Sequence, residues 1–147
     1  MSYPRPCRLL IVDDDIDTVR VLESLFAAHG FSVETSSNGR DGFLKISSGN
    51  YDVIVLDLVM PDVDGFDVLR TLREMYLPLL SRIIVLTGAS GNELRAPTYD
   101  GEIFARIQKP GRASELAETA WRCARANGVN PPLKLGQENP PEQSPLR

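Results

Sequence analysis

Apolar residues recur along this chain in two patterns: short runs apolar at every position, and longer stretches apolar at every third or fourth. Leu9-Leu10-Ile11-Val12, Val53-Ile54-Val55-Leu56 and Ile83-Ile84-Val85-Leu86 are of the first kind. Successive residues of an extended chain point to opposite faces, so these runs predict strands covered on both sides. Phe31 to Thr35 reads as a further strand and Ile103 to Ile107 as a weaker fifth. The second pattern marks helices. Val19, Leu22, Leu25, Phe26 and His29 form one face, stopped by Gly30, and a shorter helix runs from Gly39 to Ser48 before Gly49-Asn50. Phe66, Leu69, Leu72 and Tyr76 share a side of the next helix, whose extension Pro78 blocks. Ala113, Leu116, Ala117, Ala120 and Ala124 give the last helix its buried stripe, and Gly128 ends it. Where a fourth helix is due, between Thr87 and Ile103, stands GASGNELRAPTYDGE, with three glycines and Pro97. A short or irregular helix is expected there, over Asn92 to Ala96.

Strands and helices that alternate, with strands apolar on both faces, predict an α/β fold: a doubly wound five-stranded parallel sheet with helices on both faces. The chain has 147 residues, of which 42% are hydrophobic, enough for one core. The expected organisation is a leader over 1–7, a domain over 8–128 and a Pro-rich tail over 129–147. The last 17 residues hold five prolines and only Leu133, Leu135 and Leu146 as large apolar side chains, so no separate core is expected of them.

Net charge is −4 and Lys/Arg residues do not cluster, which argues against direct DNA binding. Cys7 and Cys123 lack CxxC spacing and read as reduced structural thiols. The N-terminus lacks a signal-peptide layout, and no stretch approaches the roughly 20 apolar residues that span a bilayer. A cytoplasmic location with no membrane contact is the expectation.

In such a sheet the functional crevice lies at the carboxyl ends of the strands. Asp13, Asp14 and Asp15 follow the first strand, Asp57 the third and Lys109 the fifth, while Thr87 ends the fourth. Singly each has a plain structural role: a helix N-terminus, a loop carboxylate, a turn hydroxyl, a surface lysine. Together they place carboxylates a few ångströms apart, which repel unless a cation joins them. An all-oxygen set suits Mg²⁺ better than Zn²⁺, and the only histidine, His29, lies on the first helix away from the crevice. A carboxylate beside a hard cation is a nucleophile toward phosphorus, and an ammonium and a hydroxyl can neutralise the transferring oxygens.

With these residues in place, LLIVDDD, VIVLDLVMPDVDGFDVLRTLR, IIVLTGAS and QKP resemble the response-regulator receiver family, from about Arg8 to Asn127. The resemblance implies the flavodoxin-like strand order 2-1-3-4-5. It implies Asp57 as phosphoacceptor and Asp13, Asp14, Asp57 and the Val59 backbone carbonyl as ligands of Mg²⁺, with Mn²⁺ able to substitute. It implies Thr87 as switch hydroxyl, Lys109 as ion-pairing lysine, a cis bond before Pro110, and a loop shaped by Met60, Pro61 and Gly65. The implied partners are a histidine kinase or histidine phosphotransfer protein and a downstream protein target. A homodimer through the fourth-helix face is compatible with the resemblance. The chain is expected to act as a stand-alone signalling module without a DNA-binding output domain, not as a turnover enzyme.

Two departures fall on one surface. Arg106 stands where the family carries Tyr or Phe, and Pro97 interrupts the fourth helix, so the output is expected to differ from the usual threonine-to-aromatic coupling. Two other readings compete. A phosphatase of the haloacid dehalogenase type also uses an aspartate nucleophile, but carries it in a DxD motif on the first strand. A degenerate receiver signalling by constitutive contact would not need a complete set of acid, hydroxyl and lysine positions. No GxxxxGK[ST] occurs, which removes a P-loop switch.

Overall fold

The structure is a computed structural model that describes residues 5–129. Five strands form one sheet in the order β2-β1-β3-β4-β5, all neighbours parallel. They are β1 (Cys7–Val12), β2 (Phe31–Ser36), β3 (Val53–Leu56), β4 (Ile83–Thr87) and β5 (Ala105–Gln108). The α-helices between and after them are α1 (Ile16–Ala28), α2 (Gly39–Ser48), α3 (Gly65–Met75) and α4 (Ala113–Ala126).

The two-faced apolar runs divide by parity. Leu10, Val12, Ile54, Leu56, Ile83 and Val85 point to one side and pack with Ile46 of α2 and Phe66, Leu69 and Leu72 of α3. Leu9, Ile11, Val53, Val55, Ile84 and Leu86 point to the other and meet Val19, Leu22 and Phe26 of α1 and Leu116, Ala120 and Cys123 of α4. Alternation along an extended chain thus builds two cores from one sheet. On the α1/α4 side the only tryptophan, Trp121, stacks on Phe31 with ring centroids 4.2 Å apart and donates its indole N–H to the His29 carbonyl at 2.8 Å.

Several boundaries differ from the sequence reading. β1 begins at Cys7, assigned above to the leader, because its edge is fastened from outside the apolar run. Arg5 donates to both oxygens of buried Asp52 at 2.8 and 2.6 Å, and the Arg8 amide donates to the same carboxylate at 2.9 Å. His29 and Tyr76 belong to no buried stripe. They are the C-cap residues of α1 and α3 and are exposed. Ala113 begins α4 but lies in solvent, and Thr119 and Cys123 fill the stripe beside it. The fifth strand is shifted to Ala105–Gln108, and Ile103 plugs the α2/α3 core before the strand starts. Where the fourth helix was expected over Asn92 to Ala96 there is one 3-10 turn, Gly91–Glu93, closed by a Ser90/Glu93 capping box. Pro97 and three glycines remove the donor and the conformational bias a longer helix needs. Cys7 and Cys123 are both buried free thiols, and burial pushes each up to about 12, so they are inert structural residues. The expected Pro-rich tail lies outside the described residues from position 130 onward, while Val129 packs against the α1/α4 core. No helix among the described residues is long and apolar enough to cross a membrane.

Burial opposes ionisation of Asp52, but the hydrogen bond from Arg5, the Arg8 amide and the Arg5 charge together hold its carboxyl below the ordinary carboxylate value. A depressed native pKa contributes stability that is fully present above the unfolded value of about 3.9 and is lost as pH falls through the folded value. Asp52→Asn should therefore destabilise the fold by about 2 kcal/mol at neutral pH. In urea unfolding the difference from wild type should shrink on acidification below about pH 4.

Candidate functional site

Ladder hydrogen bonds carry the chain past the strand ends and bring four side chains to one edge. The Asp13 amide donates to Ser36 O at 3.0 Å, the Asp57 amide to Val12 O at 2.9 Å and the Lys109 amide to Thr87 O at 2.8 Å. Asp13, Asp57 and Thr87 are buried, Lys109 is half-buried and Asp14 is exposed. Carboxylate oxygens of Asp13, Asp14 and Asp57 all lie within 4.8 Å of one another. Asp15, the third acid of the run, is instead the N-cap of α1. Its amide donates to Asp13 Oδ1 at 2.9 Å, which orients the Asp13 carboxylate, and its own carboxylate accepts from Thr18.

Lys109 bridges two of the acids: its Nζ lies 2.7 Å from Asp13 Oδ2 and 3.3 Å from Asp57 Oδ2. Burial pulls this ammonium's pKa down, but hydrogen bonds and charge from Asp13 and Asp57 outweigh it, and the net shift is upward. Asp57 moves up from the ordinary carboxylate value, chiefly because it is desolvated, with Asp13 adding repulsion. Lys109 and the Thr87 hydroxyl oppose that rise. An oxygen-rich triad carrying more negative charge than one ammonium balances is suited to a small, hard divalent cation. Asp13, Asp14 and Asp57 fit such an ion.

The loop after Asp57 is shaped by close backbone contact. Leu58 and Met60 are buried and Val59, between them, is 55% exposed. The Gly65 amide donates to Leu58 O at 2.8 Å, and a Cβ at Gly65 would lie 2.1 Å from Asp57 O and 2.6 Å from Leu58 Cα. Only glycine lets the start of α3 approach this closely. Asp64 caps α3, accepting from the Asp67 amide at 3.1 Å, and Asp67 returns the bond at 3.3 Å. The Lys109-Pro110 peptide bond is cis, as the resemblance implied. The Thr87 hydroxyl accepts from the Ala89 amide at 3.2 Å. Ala89 itself is buried.

Arg106 does not reach this edge. It pairs with Asp100 at 2.9 Å on the outer side of β5, exposed. Sequence reasoning also missed Arg95, whose guanidinium pairs with Asp64 and lies 4.8 Å from the Phe66 ring centroid. No local pattern signals that contact, because its partners are 31 residues apart in the chain.

The sequence profile of the response regulator receiver domain matches residues 9–120. The cell cycle transcriptional regulator CtrA of Caulobacter vibrioides is 34% identical over 109 residues, covering 74% of this chain and 46% of that protein. The response regulator SaeR of Staphylococcus epidermidis is 37% identical over 130 residues, covering 88% of this chain and 56% of its own. The chain spans about half the length of the curated relatives it matches. A CheY-like receiver domain protein from Methanospirillum hungatei superimposes with a TM-score of 0.74 at 23% identity, covering 84% of this chain and 97% of that one. The response regulator TrrA of Thermotoga maritima, solved in complex with Mg²⁺-BeF, gives a TM-score of 0.68 at 28% identity, covering 79% of this chain and 97% of that one. The strand order, the acids gathered at the sheet edge and the profile over most of the folded residues agree: the chain belongs to the response regulator receiver domain family of two-component signalling.

Proposed function

We propose that Asp57 accepts a phosphoryl group from a phosphohistidine of a histidine kinase or histidine phosphotransfer protein, and that the chain signals by protein contact or passes the group on in a relay. The observation that carries this reading is the meeting of Asp13, Asp14 and Asp57 oxygens within 4.8 Å of one another, with Lys109 Nζ 3.3 Å from Asp57. The TrrA complex with Mg²⁺-BeF supports it, as a relative at 28% identity.

An Asp57 carboxylate oxygen attacks phosphorus, the P–N bond to the donor imidazole breaks, and the imidazole keeps the electron pair and is protonated. Desolvation makes Asp57 a more basic nucleophile than an exposed carboxylate. Lys109 holds its ammonium against Asp13 and Asp57, where charge grows on the transferring oxygens, and Thr87 supplies a hydroxyl at the same edge. Mg²⁺, or Mn²⁺ in its place, held by Asp13, Asp14, Asp57 and the Val59 carbonyl, would supply charge neutralisation of the phosphoryl group when bound. The acyl phosphate formed is a stored signal, so the chain acts as a phosphoacceptor with self-catalysed transfer and autodephosphorylation, and not as a turnover enzyme.

Acetyl phosphate with Mg²⁺ should add one phosphoryl group by intact mass to wild type and none to Asp57→Asn; labelling of both, or of neither, would refute the assignment. Lys109→Ala should slow labelling by about 100-fold, measured as the initial rate at fixed donor.

Asp57 with a raised native pKa binds its proton more tightly folded than unfolded, so ionisation at neutral pH costs the metal-free fold stability. Asp57→Asn should therefore melt above wild type in chelated buffer. Adding Mg²⁺ should raise the wild-type melting temperature and leave the variant unmoved, since binding to the native state alone stabilises it.

A further inference from the structure

Helices α1 and α4 both start at the crevice edge and pack on the same face of the sheet, and the seam between them is open. At its upper end is a cavity of about 440 Å³ walled by Val21, Leu22 and Leu25 of α1, Leu86 of β4 and Leu116 of α4, with Lys109 and Pro110 on its rim. At its lower end a second hollow lies between His29 and the α4 residues Ala117 and Trp121. Val21, on the lip of the upper cavity, is 68% exposed. A lone apolar residue in solvent needs no partner, but one that continues an apolar cavity marks a contact site.

The chain itself supplies a segment that fits. Helix α4 ends in a turn through Gly128, at φ 89, where the Gly128 amide donates to Arg125 O at 3.0 Å and the Val129 amide to Ala124 O at 2.9 Å. A left-handed residue after a helix turns the chain back against the last turn, and Val129 accordingly packs on the α1/α4 core. The chain therefore leaves α4 at the lower end of the seam, on its α1 side. The residues that follow are Asn130-Pro131-Pro132-Leu133-Lys134-Leu135. Consecutive prolines favour extended backbone. Alternate residues of an extended strand share a face, so Leu133 and Leu135 can enter an apolar groove while Lys134 stays in solvent. The reach suffices: the stretch from Val129 to Leu135 spans up to about 20 Å when extended, whereas the helix from His29 back to Val21 rises only about 12 Å. A tether this short gives an effective concentration on the order of millimolar, which populates even a weak contact.

We propose that residues 130–135 of this chain fold back along the α1/α4 seam and seat Leu133 and Leu135 in the cavity beside Val21, Leu25 and Leu116, an intramolecular latch that reaches the rim at Lys109 and Pro110. The seated segment takes the place of any protein that docks on this seam, and its release exposes the seam. The tether favours the chain's own segment over the same segment of a second copy, which competes only at comparable concentration. The inference stands on the open seam, the direction of the chain after Gly128 and the Leu133/Leu135 spacing, and does not depend on the reading of Asp57.

Paramagnetic relaxation in the full chain tests it. Cys7 and Cys123 are buried, so a nitroxide attached to Lys134→Cys reports from one place. Methyl signals of Val21, Leu25 and Leu116 should be lost to the label, while those of Leu69 and Leu72, in the core on the other face of the sheet, should persist and show that the chain is folded. Adding Leu133→Asp and Leu135→Asp to the labelled chain should restore the Leu25 and Leu116 signals. Val21→Asp, a change on the exposed lip of the cavity, should restore them as well. Persistence of all three signals beside the nitroxide overturns the latch, as does loss that survives both sets of aspartates. In a mixture of isotope-labelled chain without nitroxide and nitroxide-bearing chain without isotope, the signals should remain. Their loss there assigns the seam to the segment of a second copy and overturns the intramolecular contact.

Discussion

The crevice depends on a single ammonium. Asp13 and Asp57 are buried at the ends of adjacent strands, where two carboxylates without compensation would repel each other and take up protons. Lys109 Nζ sits 2.7 Å from one and 3.3 Å from the other, and it reaches them because β5 ends beside β4 on the same edge. That arrangement leaves a net negative charge at Asp14, Asp13 and Asp57. The site is thereby stable enough to fold and unsatisfied enough to suit a divalent cation.

How much of this was readable from the residues alone follows from the range of the forces involved. The two-sided apolar runs announced central parallel strands, because burial on both faces leaves no polar position to alternate. The acids, hydroxyl and lysine at the strand ends were legible for the same reason, since strand limits and a parallel sheet already assign them to one edge. Strand β5 was placed two residues early because Ile103 is apolar for the sake of the α2/α3 core rather than the sheet. His29 and Tyr76 fit a helical period but sit one residue past the last turn, where the period no longer dictates burial. The arginine contacts could not be read at all. Arg5 to Asp52, Arg95 to Asp64 and Arg73 to Glu102 join residues 47, 31 and 29 apart, and a charged residue carries no periodic mark of its partner.

The irregular region between β4 and β5 is where local and tertiary preferences part. Glycine and proline forbid a long helix, and the chain answers with a single 3-10 turn, a capping box and side-chain contacts to α3. By contrast α1, α3 and α4 each rest on a stripe of several buried apolar side chains. This segment instead rests on a few directional contacts, together with Leu94, Ala96 and Tyr99, which are only partly buried against the core. Elements held that way lie at the low-stability end of a fold, from which moving parts are drawn.

Trp121 gives the molecule an optical asymmetry. It stacks on Phe31, which pairs with Cys7 at the starting end of β1 and β2, whereas Asp13 follows the finishing end. Six residues of strand separate the two ends, about 20 Å at 3.3 Å per residue. The lone indole is therefore a spectator of the crevice. Its fluorescence follows whether the sheet and its flanking helices are assembled, and stays blind to what occupies Asp57. Events at the acid cluster need a reporter of their own, placed on the other end of the same strands.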